Sequence, residues 1–310
     1  MESKKIVAAI DVGTLKSKFE IREFDDEFNS KVLYKDKPLT VLGRDLDKTD
    51  NIIIEKSIVK TIDALKDFKQ KMDEYKVVKY KSVTTEAIRK AKNANDVLER
   101  IKNETGIDLE VLSQEEEAKL LFESVAKDFP DNVIAVSDIG GGSVQVVIGK
   151  GEKIYETHLF KTGTYRLQEE FSKTHHPSFE ELEKTKDYVI EQLKPLESSN
   201  HKPEYVVYGT TNIIEFLETM GLKLQDRKGH IGDHPYTINV EQLWPLYTKI
   251  IGLSYEDRMP MYEKEPYYMW AADKALMNII QICTYLGCDI IVPTNNNIST
   301  GILYNLAKNL

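Results

Sequence analysis

The apolar positions of this chain switch between a period of two and a period of 3.6, and the first switch defines its most informative feature. Residues 5–10 read as an apolar strand and residues 17–22 alternate in strand fashion, which together predict a hairpin. Asp11, Gly13 and Thr14 stand at its tip. The arrangement returns in mid-chain. Residues 133–137 form an apolar strand ended by Asp138, Gly140-Gly141-Gly142-Ser143 turns the chain, and residues 144–148 leave as a second strand. An ordinary hairpin turn needs one or two glycines. Three in a row before a hydroxyl residue suit a loop whose backbone N–H groups approach a guest closely, and phosphate is the usual guest. A strand–Asp-x-Gly–strand unit present twice is an internal repeat. It predicts two domains that begin alike and grip one phosphate chain across the cleft between them.

Between and beyond the hairpins the pattern is that of alternating strands and amphipathic helices. Residues 39–42 read as a strand turned by Gly43-Arg44-Asp45, and residues 58–71 as a helix with Ile58, Ile62, Leu65 and Phe68 on one stripe. Residues 75–83 alternate as a strand and deliver Thr84 or Thr85 as the N-cap of a short helix. Arg89 lies in that helix, placed to meet a phosphate bidentately. A helix over 95–102 and a strand over 108–112 follow. Ser113 with Glu116 three residues on is a capping box, and Ala118, Leu121, Phe122 and Val125 form the buried stripe of its helix. Glu116 points away from that stripe and is occupied by the cap, whereas Glu115 and Glu117 border it. Later elements are a strand over 153–160, a helix over 182–193, and a strand over 205–208 that runs into Gly209-Thr210-Thr211 and a helix. That last helix start attracts anions through its N–H groups. Helices over 243–251 and 267–286, a strand over 289–292, a turn at Asn295-Asn296-Asn297 and a helix from Thr300 complete the chain. No stretch is rich enough in Pro, Gly or Ser to mark a linker. The repeat alone sets the boundary inside the Glu117 helix, giving domains 1–124 and 125–310.

Composition narrows the function. The 310 residues, 41% hydrophobic and 30% charged, suit a soluble protein of two ordinary domains. No apolar run approaches the roughly 20 residues of a membrane span, and the N-terminal apolar stretch is too short for a signal peptide, so the expected compartment is the cytoplasm. Cys283 and Cys288 lie in an apolar run without a nearby His, which reads as buried thiols rather than a zinc site. The net charge of −9 argues against nucleic-acid binding and leaves a polyanion acceptable only at a local basic patch. His175 and His176 have no third ligand at fixed spacing. The stretch Gly229-His230-Ile231-Gly232-Asp233-His234 has no specific reading.

These motifs together resemble the exopolyphosphatase/guanosine pentaphosphate phosphatase (Ppx/GppA) family of the actin-like, sugar-kinase and Hsp70 superfamily. The family's Ala-Thr-x-Ala-x-Arg-x-Ala-x-Asn segment is matched by Thr85, Ala87, Arg89, Ala91 and Asn93, and there the arginine contacts the scissile phosphate. Its Ser-Gly-x-Glu-Glu-Ala motif sets the catalytic glutamate at Glu117, with Gln114 in place of the glycine. Its Gly-x-Val-Arg-Leu is matched by Gly163, Arg166 and Leu167, with Lys161 adding charge nearby. Before the glycine matched by Gly301 it carries a charged residue.

The resemblance implies an α/β fold of two ribonuclease H-like (actin-like ATPase) domains and a hydrolase of phosphoanhydrides acting on polyphosphate or on guanosine penta- or tetraphosphate. Catalysis falls to Glu117, Arg89 and Asp138. Phosphate binding falls to Asp11, Gly13, Thr14, Lys16, Gly140, Gly141, Gly142, Ser143, Arg166, Gly209 and Thr210. Mg²⁺ is held by Asp138 and Glu117, and a homodimer is compatible with this reading. One departure supports a second reading, a non-catalytic sensor of a phosphorylated ligand. The family's Asp-x-Gly-Ser-Asn-Ser is here Asp11-Val-Gly-Thr14-Leu15-Lys16, so two polar contacts have become Leu15 and Lys16, with Lys16 and Lys18 offering charge instead. A kinase of the superfamily fits less well, because the Arg89 and Glu117 segments belong to the phosphatases.

Overall fold

A computed structural model of the chain describes residues 5–26, 29–172, 176–209 and 212–310. Its first strand, β1 (Lys5–Val12), pairs antiparallel with β2 (Ser17–Phe24), and β2 with β3 (Ser30–Asp36). The chain then forms α1 (Glu55–Glu74), β4 (Lys79–Thr84), α2 (Glu86–Lys90), α3 (Ala94–Thr105), β5 (Glu110–Val111) and α4 (Gln114–Ala126). The sheet runs β3-β2-β1-β4-β5, with β4 parallel to β1 and β5 parallel to β4. Val7, Ala8, Ala9 and Ile10 are wholly buried, which is why β1 reads as a continuous apolar run rather than an alternating one. The α1 stripe lies on the sheet, and Phe68 stacks on Phe19 of β2 at 4.5 Å.

The second sheet repeats the first. β6 (Ile134–Ile139), β7 (Val144–Lys150) and β8 (Lys153–Phe160) form an antiparallel meander. α5 (Thr164–Phe171), α6 (Phe179–Leu193), β9 (Tyr205–Tyr208), α7 (Ile213–Thr219), β10 (Gln225–Asp226) and β11 (Tyr236–Asn239) follow. Next come α8 (Leu243–Ile251), α9 (Tyr255–Arg258), α10 (Pro266–Trp270), α11 (Ala272–Leu286) and β12 (Ile290–Pro293). The order is β10-β11-β12-β9-β6-β7-β8, with β9 parallel to β6 and β12 parallel to β9. Without the β10–β11 extension this is the same meander-plus-two-parallel-strands topology as the first sheet, and both are ribonuclease H-like.

Contacts divide the chain into one unit up to Leu120 together with Ile298–Leu310, and another from Leu121 to Asn297. The sequence reading assigned all of 125–310 to the second domain. In the structure the last helix, α12 (Ile298–Lys308), packs in the first unit. Tyr304 meets Phe24 edge to face at 5.4 Å, and a side chain on Gly301 would come within 2.3 Å of the Leu120 carbonyl oxygen. Two element readings are also corrected. Residues 39–42 are no strand, and the helix expected over 267–286 breaks at Ala271, whose φ of −122° and ψ of 14° are not helical.

Candidate functional site

Unit one gathers its functional residues at the carboxyl ends of three parallel strands, where open α/β sheets bind ligands. β1 ends at the tip of the first hairpin, where the Gly13 N–H donates to the Lys16 carbonyl at 3.0 Å. The Thr84 hydroxyl at the end of β4 donates to the Val12 carbonyl at 2.9 Å, and the Leu112 N–H returns to the Thr84 carbonyl at 3.0 Å. Arg89 Nη1 donates to the Leu112 carbonyl at 2.6 Å and to Glu117 Oε2 at 3.0 Å. A continuous set of bonds thus leads from the hairpin to Glu117. Arg89 is half-buried and fixed by a carbonyl and a carboxylate rather than extended toward solvent.

The glutamate side chains separate as their helix face requires. Ser113 and Glu116 close the expected capping box, with Glu116 N–H to Ser113 Oγ at 3.1 Å and Ser113 N–H to Glu116 Oε2 at 2.8 Å. Those bonds hold the Glu116 carboxyl below its ordinary range. Glu115 and Glu116 are exposed while Glu117 is 9% exposed. Thr85 stands at the N-cap position of α2 without a side-chain bond, so neither threonine caps that helix as expected. Asn93 clasps the backbone N–H and C=O of Ile53 at 3.0 Å each, a purely structural task.

Residues 39–43 prove to be a strap behind the first hairpin. The Val41 N–H donates to the Leu15 carbonyl at 2.8 Å and the Gly43 N–H to the Thr14 carbonyl at 2.8 Å. A side chain on Gly43 would meet Thr14 Cγ2 at 2.7 Å and Ala87 Cβ at 2.8 Å, so only glycine lets strap, hairpin tip and α2 converge. Sequence reading gave this glycine only as part of a turn. Its signal was present, as a Gly-x-Asp turn after an apolar stretch, but nothing local says what the turn approaches.

The second unit repeats the device. The Gly140 N–H donates to the Ser143 carbonyl at 3.0 Å, the bond that Gly13 makes to Lys16. Its strap is the start of α5. Thr164 N–H reaches the Gly140 carbonyl at 2.9 Å, Arg166 N–H the Gly141 carbonyl at 3.0 Å, and Arg166 Nε the Gly142 carbonyl at 3.2 Å. Arg166 is therefore tied to the loop's carbonyls. A side chain on Gly163 would lie 2.3 Å from Gly142 C and 2.4 Å from Ser143 N. Among the described residues no backbone carbonyl accepts from Gly141 or Gly142.

The paired aspartates differ in surroundings. Asp11, 4% exposed, sits opposite Lys18 on β2, with Lys18 Nζ 3.5 Å from Oδ2. Asp138 is half-buried opposite the neutral Gln145. Thr14, Lys16 and Ser143 are half-buried at their tips and Lys161 is exposed. Gly209 ends β9 against Thr294 at the end of β12. Thr210, Thr211 and His175 lie outside the described residues. The two cysteines are buried thiols, as expected, and burial pushes both thiols up.

The model of the Ppx/GppA phosphatase family matches residues 21–265. The bifunctional 3-dehydroquinate synthase/phosphatase of Fusobacterium nucleatum is 31% identical over 203 residues, 61% of this chain, and the match covers 30% of that relative's length. Among solved structures, the Aquifex aeolicus Ppx/GppA family member superposes with a TM-score of 0.82 at 25% identity, over 99% of this chain and 98% of that one. An exopolyphosphatase from Cytophaga hutchinsonii shares the fold, with a TM-score of 0.86 at 23% identity over 99% of each chain. With well over half of its length matched and both duplicated hairpins in place, the chain belongs to the Ppx/GppA phosphatase family.

Proposed function

We propose that the chain hydrolyses a terminal phosphoanhydride of inorganic polyphosphate or of guanosine pentaphosphate, with Mg²⁺. The observation that carries this reading is the Arg89–Glu117 contact, a buried carboxylate aimed by a cation at the carboxyl ends of parallel strands. Hydrolysis needs a water oriented and relieved of its proton opposite the leaving oxygen, and charge-neutralising groups around the phosphoryl oxygens. Glu117 is the water-orienting base. Arg89 fixes Glu117 and meets the phosphate. The first hairpin contributes Asp11, Gly13, Thr14 and Lys16. The second unit contributes the N–H groups of Gly141, Gly142 and Ser143 in the turn that Gly140 closes, supported from behind by Arg166, with Gly209 and Thr210 at the next strand end.

Mg²⁺ is the cofactor in this reading. Among the described residues no group of three or more His, Cys, Asp or Glu side chains forms a metal cage. Mg²⁺ does not ask for one, because it keeps several waters and takes one or two carboxylates with phosphate oxygens. Asp138 and Glu117 are the carboxylates that would hold it. The Lys18 ammonium beside Asp11 makes Asp11 the less suitable aspartate for a metal. When bound, the ion neutralises phosphate charge. Among the described residues no helix is long and apolar enough to cross a membrane.

The test is phosphate release with and without Mg²⁺ from long polyphosphate, tripolyphosphate, guanosine pentaphosphate and ATP side by side. Mg²⁺-dependent release from polyphosphate or guanosine pentaphosphate is expected. Tight binding of one of them without release makes the protein a sensor, the reading favoured by Leu15 and Lys16 at the first tip.

A further inference from the structure

The stretch before β11, which the proposed chemistry leaves without a role, ends in His234, a wholly buried imidazole. Its Nδ1 lies 2.6 Å from Asp128 Oδ2 and its Nε2 lies 2.7 Å from Thr294 Oγ1. Asp128 is 4% exposed and Thr294 3%. Thr294 Oγ1 also accepts the Asn296 N–H at 3.0 Å, and Asp128 Oδ2 accepts the Asp233 N–H at 2.7 Å. Other charges nearby are Lys127, 4.0 Å from Asp128 Oδ1 and 3.8 Å from Asp233 Oδ2, and Arg227, whose Nε donates to the His234 carbonyl at 2.8 Å. The Phe129 ring, 5.6 Å away, and the neighbouring Tyr205 complete the wall. Gly232 belongs to the same device, because a side chain there would strike the Asp128 carboxylate at 2.1 Å.

The hydrogens in this relay have one consistent order. Asp128 Oδ2 already accepts the Asp233 N–H, so it faces His234 as an acceptor and Nδ1 carries a hydrogen. The Asn296 N–H can only donate, so it takes one lone pair of the Thr294 hydroxyl. Among the described residues a bare Nε2 is the acceptor in reach of the hydroxyl hydrogen. An imidazolium would give Thr294 a second donor and leave its hydroxyl hydrogen without this acceptor. Thr294 in turn abuts Gly209, the residue that follows β9. Its N–H donates to the Tyr208 carbonyl at 3.0 Å, and its carbonyl oxygen lies 1.8 Å from where a side chain on Gly209 would begin.

We propose that His234, as the neutral Nδ1–H tautomer, is a positioning residue that fixes Thr294 and through it Gly209, the residue that follows β9. The importance of that position for phosphate rests on the function proposed above, whereas the relay does not.

Imidazole nitrogen shifts of the full chain, with His234→Asn to assign the signal, are expected to show a neutral Nδ1–H ring at neutral pH. Thr294→Val keeps the shape and removes the hydroxyl. It is expected to move the His234 Nε2 shift and the Gly209 amide resonance, and to raise KM for tripolyphosphate about tenfold while kcat stays within about twofold. Thr294→Ser restores all of these. An imidazolium or an Nε2–H ring in the wild type overturns the proposal, as does an unmoved Gly209 amide in Thr294→Val. Should Thr294→Val not fold, His234→Asn, which keeps a donor toward Asp128 but offers Thr294 nothing, must move the Gly209 amide in its place. A wild type that releases no phosphate sinks the hydrolase reading alone. The Gly209 amide and calorimetric binding of tripolyphosphate then decide the positioning role.

Discussion

At the scale of single residues, Glu117 is set apart from Glu115 and Glu116 by burial and by its ion pair with Arg89. Glu117→Gln keeps size and most hydrogen bonding but cannot take a proton from water. It is expected to lower the rate of phosphate release about 10²–10⁴-fold with little change in ligand affinity, whereas Glu115→Gln and Glu116→Gln leave the rate near wild type. A dead Glu115 variant beside an active Glu117 variant would mean that the wrong carboxylate was chosen. Arg89→Ala removes the contact to Glu117 and, in the proposed function, one to phosphate, so it should raise KM and lower kcat together. A wild-type kcat/KM in this variant would make Arg89 a structural residue. Much of this was legible because capping boxes, stripes and Asp-x-Gly tips are local patterns. The Arg89 bond to the Leu112 carbonyl was not, since it joins residues that only the β4–β5 pairing brings together.

At the scale of elements, the two hairpins matter less as strands than through the straps behind them. Gly163→Ala places a methyl 2.3–2.5 Å from Gly142 and Ser143 backbone and from the Gly141 carbonyl oxygen, none of which can swing aside. We expect a loss of about 2–3 kcal/mol of stability and weaker polyphosphate binding, read by denaturant midpoint and calorimetry. Gly106→Ala is the contrast. It has φ of +70° with nothing within 4 Å, so it should cost about 1 kcal/mol and leave binding alone. Equal effects of the two would remove the strap argument. The strap in residues 39–43 was misread as a strand because its apolar residues are real, but its N–H groups serve the hairpin tip and not a ladder. β3 and the short β10 went unread because their lysines and acids hide the alternation at a sheet edge. The return of α12 to the first unit has no local signal, since it depends on a close approach at Gly301.

At the scale of the whole molecule, stability turns on how the second unit handles buried charge. Glu156 on β8 is pushed up by burial, yet bonds from His201 at 2.7 Å, His158 at 3.0 Å and Ser199 at 3.0 Å prevail and bring it from 4.5 to about 2. A depressed carboxyl stabilises the fold above its unfolded value and ceases to do so as pH falls through its folded one. The wild type should therefore be more stable than Glu156→Gln at pH 5, with the difference closing between pH 4.5 and 2. A gap that widens on acidification would refute the assignment. A second cluster is unbalanced by design. Among the described residues, Arg258 and Lys274, 0% and 1% exposed, share Asp273 as their one carboxylate partner. Lys274 Nζ bonds to Oδ2 at 2.7 Å, while Arg258 Nη1 lies 3.0 Å from Oδ1 without hydrogen-bond geometry. The Tyr255 ring, 4.6 Å from the guanidinium and 5.8 Å from the ammonium, eases the excess only in part. Removing Asp273 leaves two buried cations unpaired, so Asp273→Asn should cost about 3–5 kcal/mol. Lys274→Met fills the same space, lets Arg258 keep the carboxylate to itself, and removes the surplus charge. Its expected effect is neutral to stabilising, by up to about 2 kcal/mol, measured as the thermal midpoint at pH 7. A Lys274→Met protein several degrees less stable than wild type would show that the ammonium is matched by an anion or ordered water in this core.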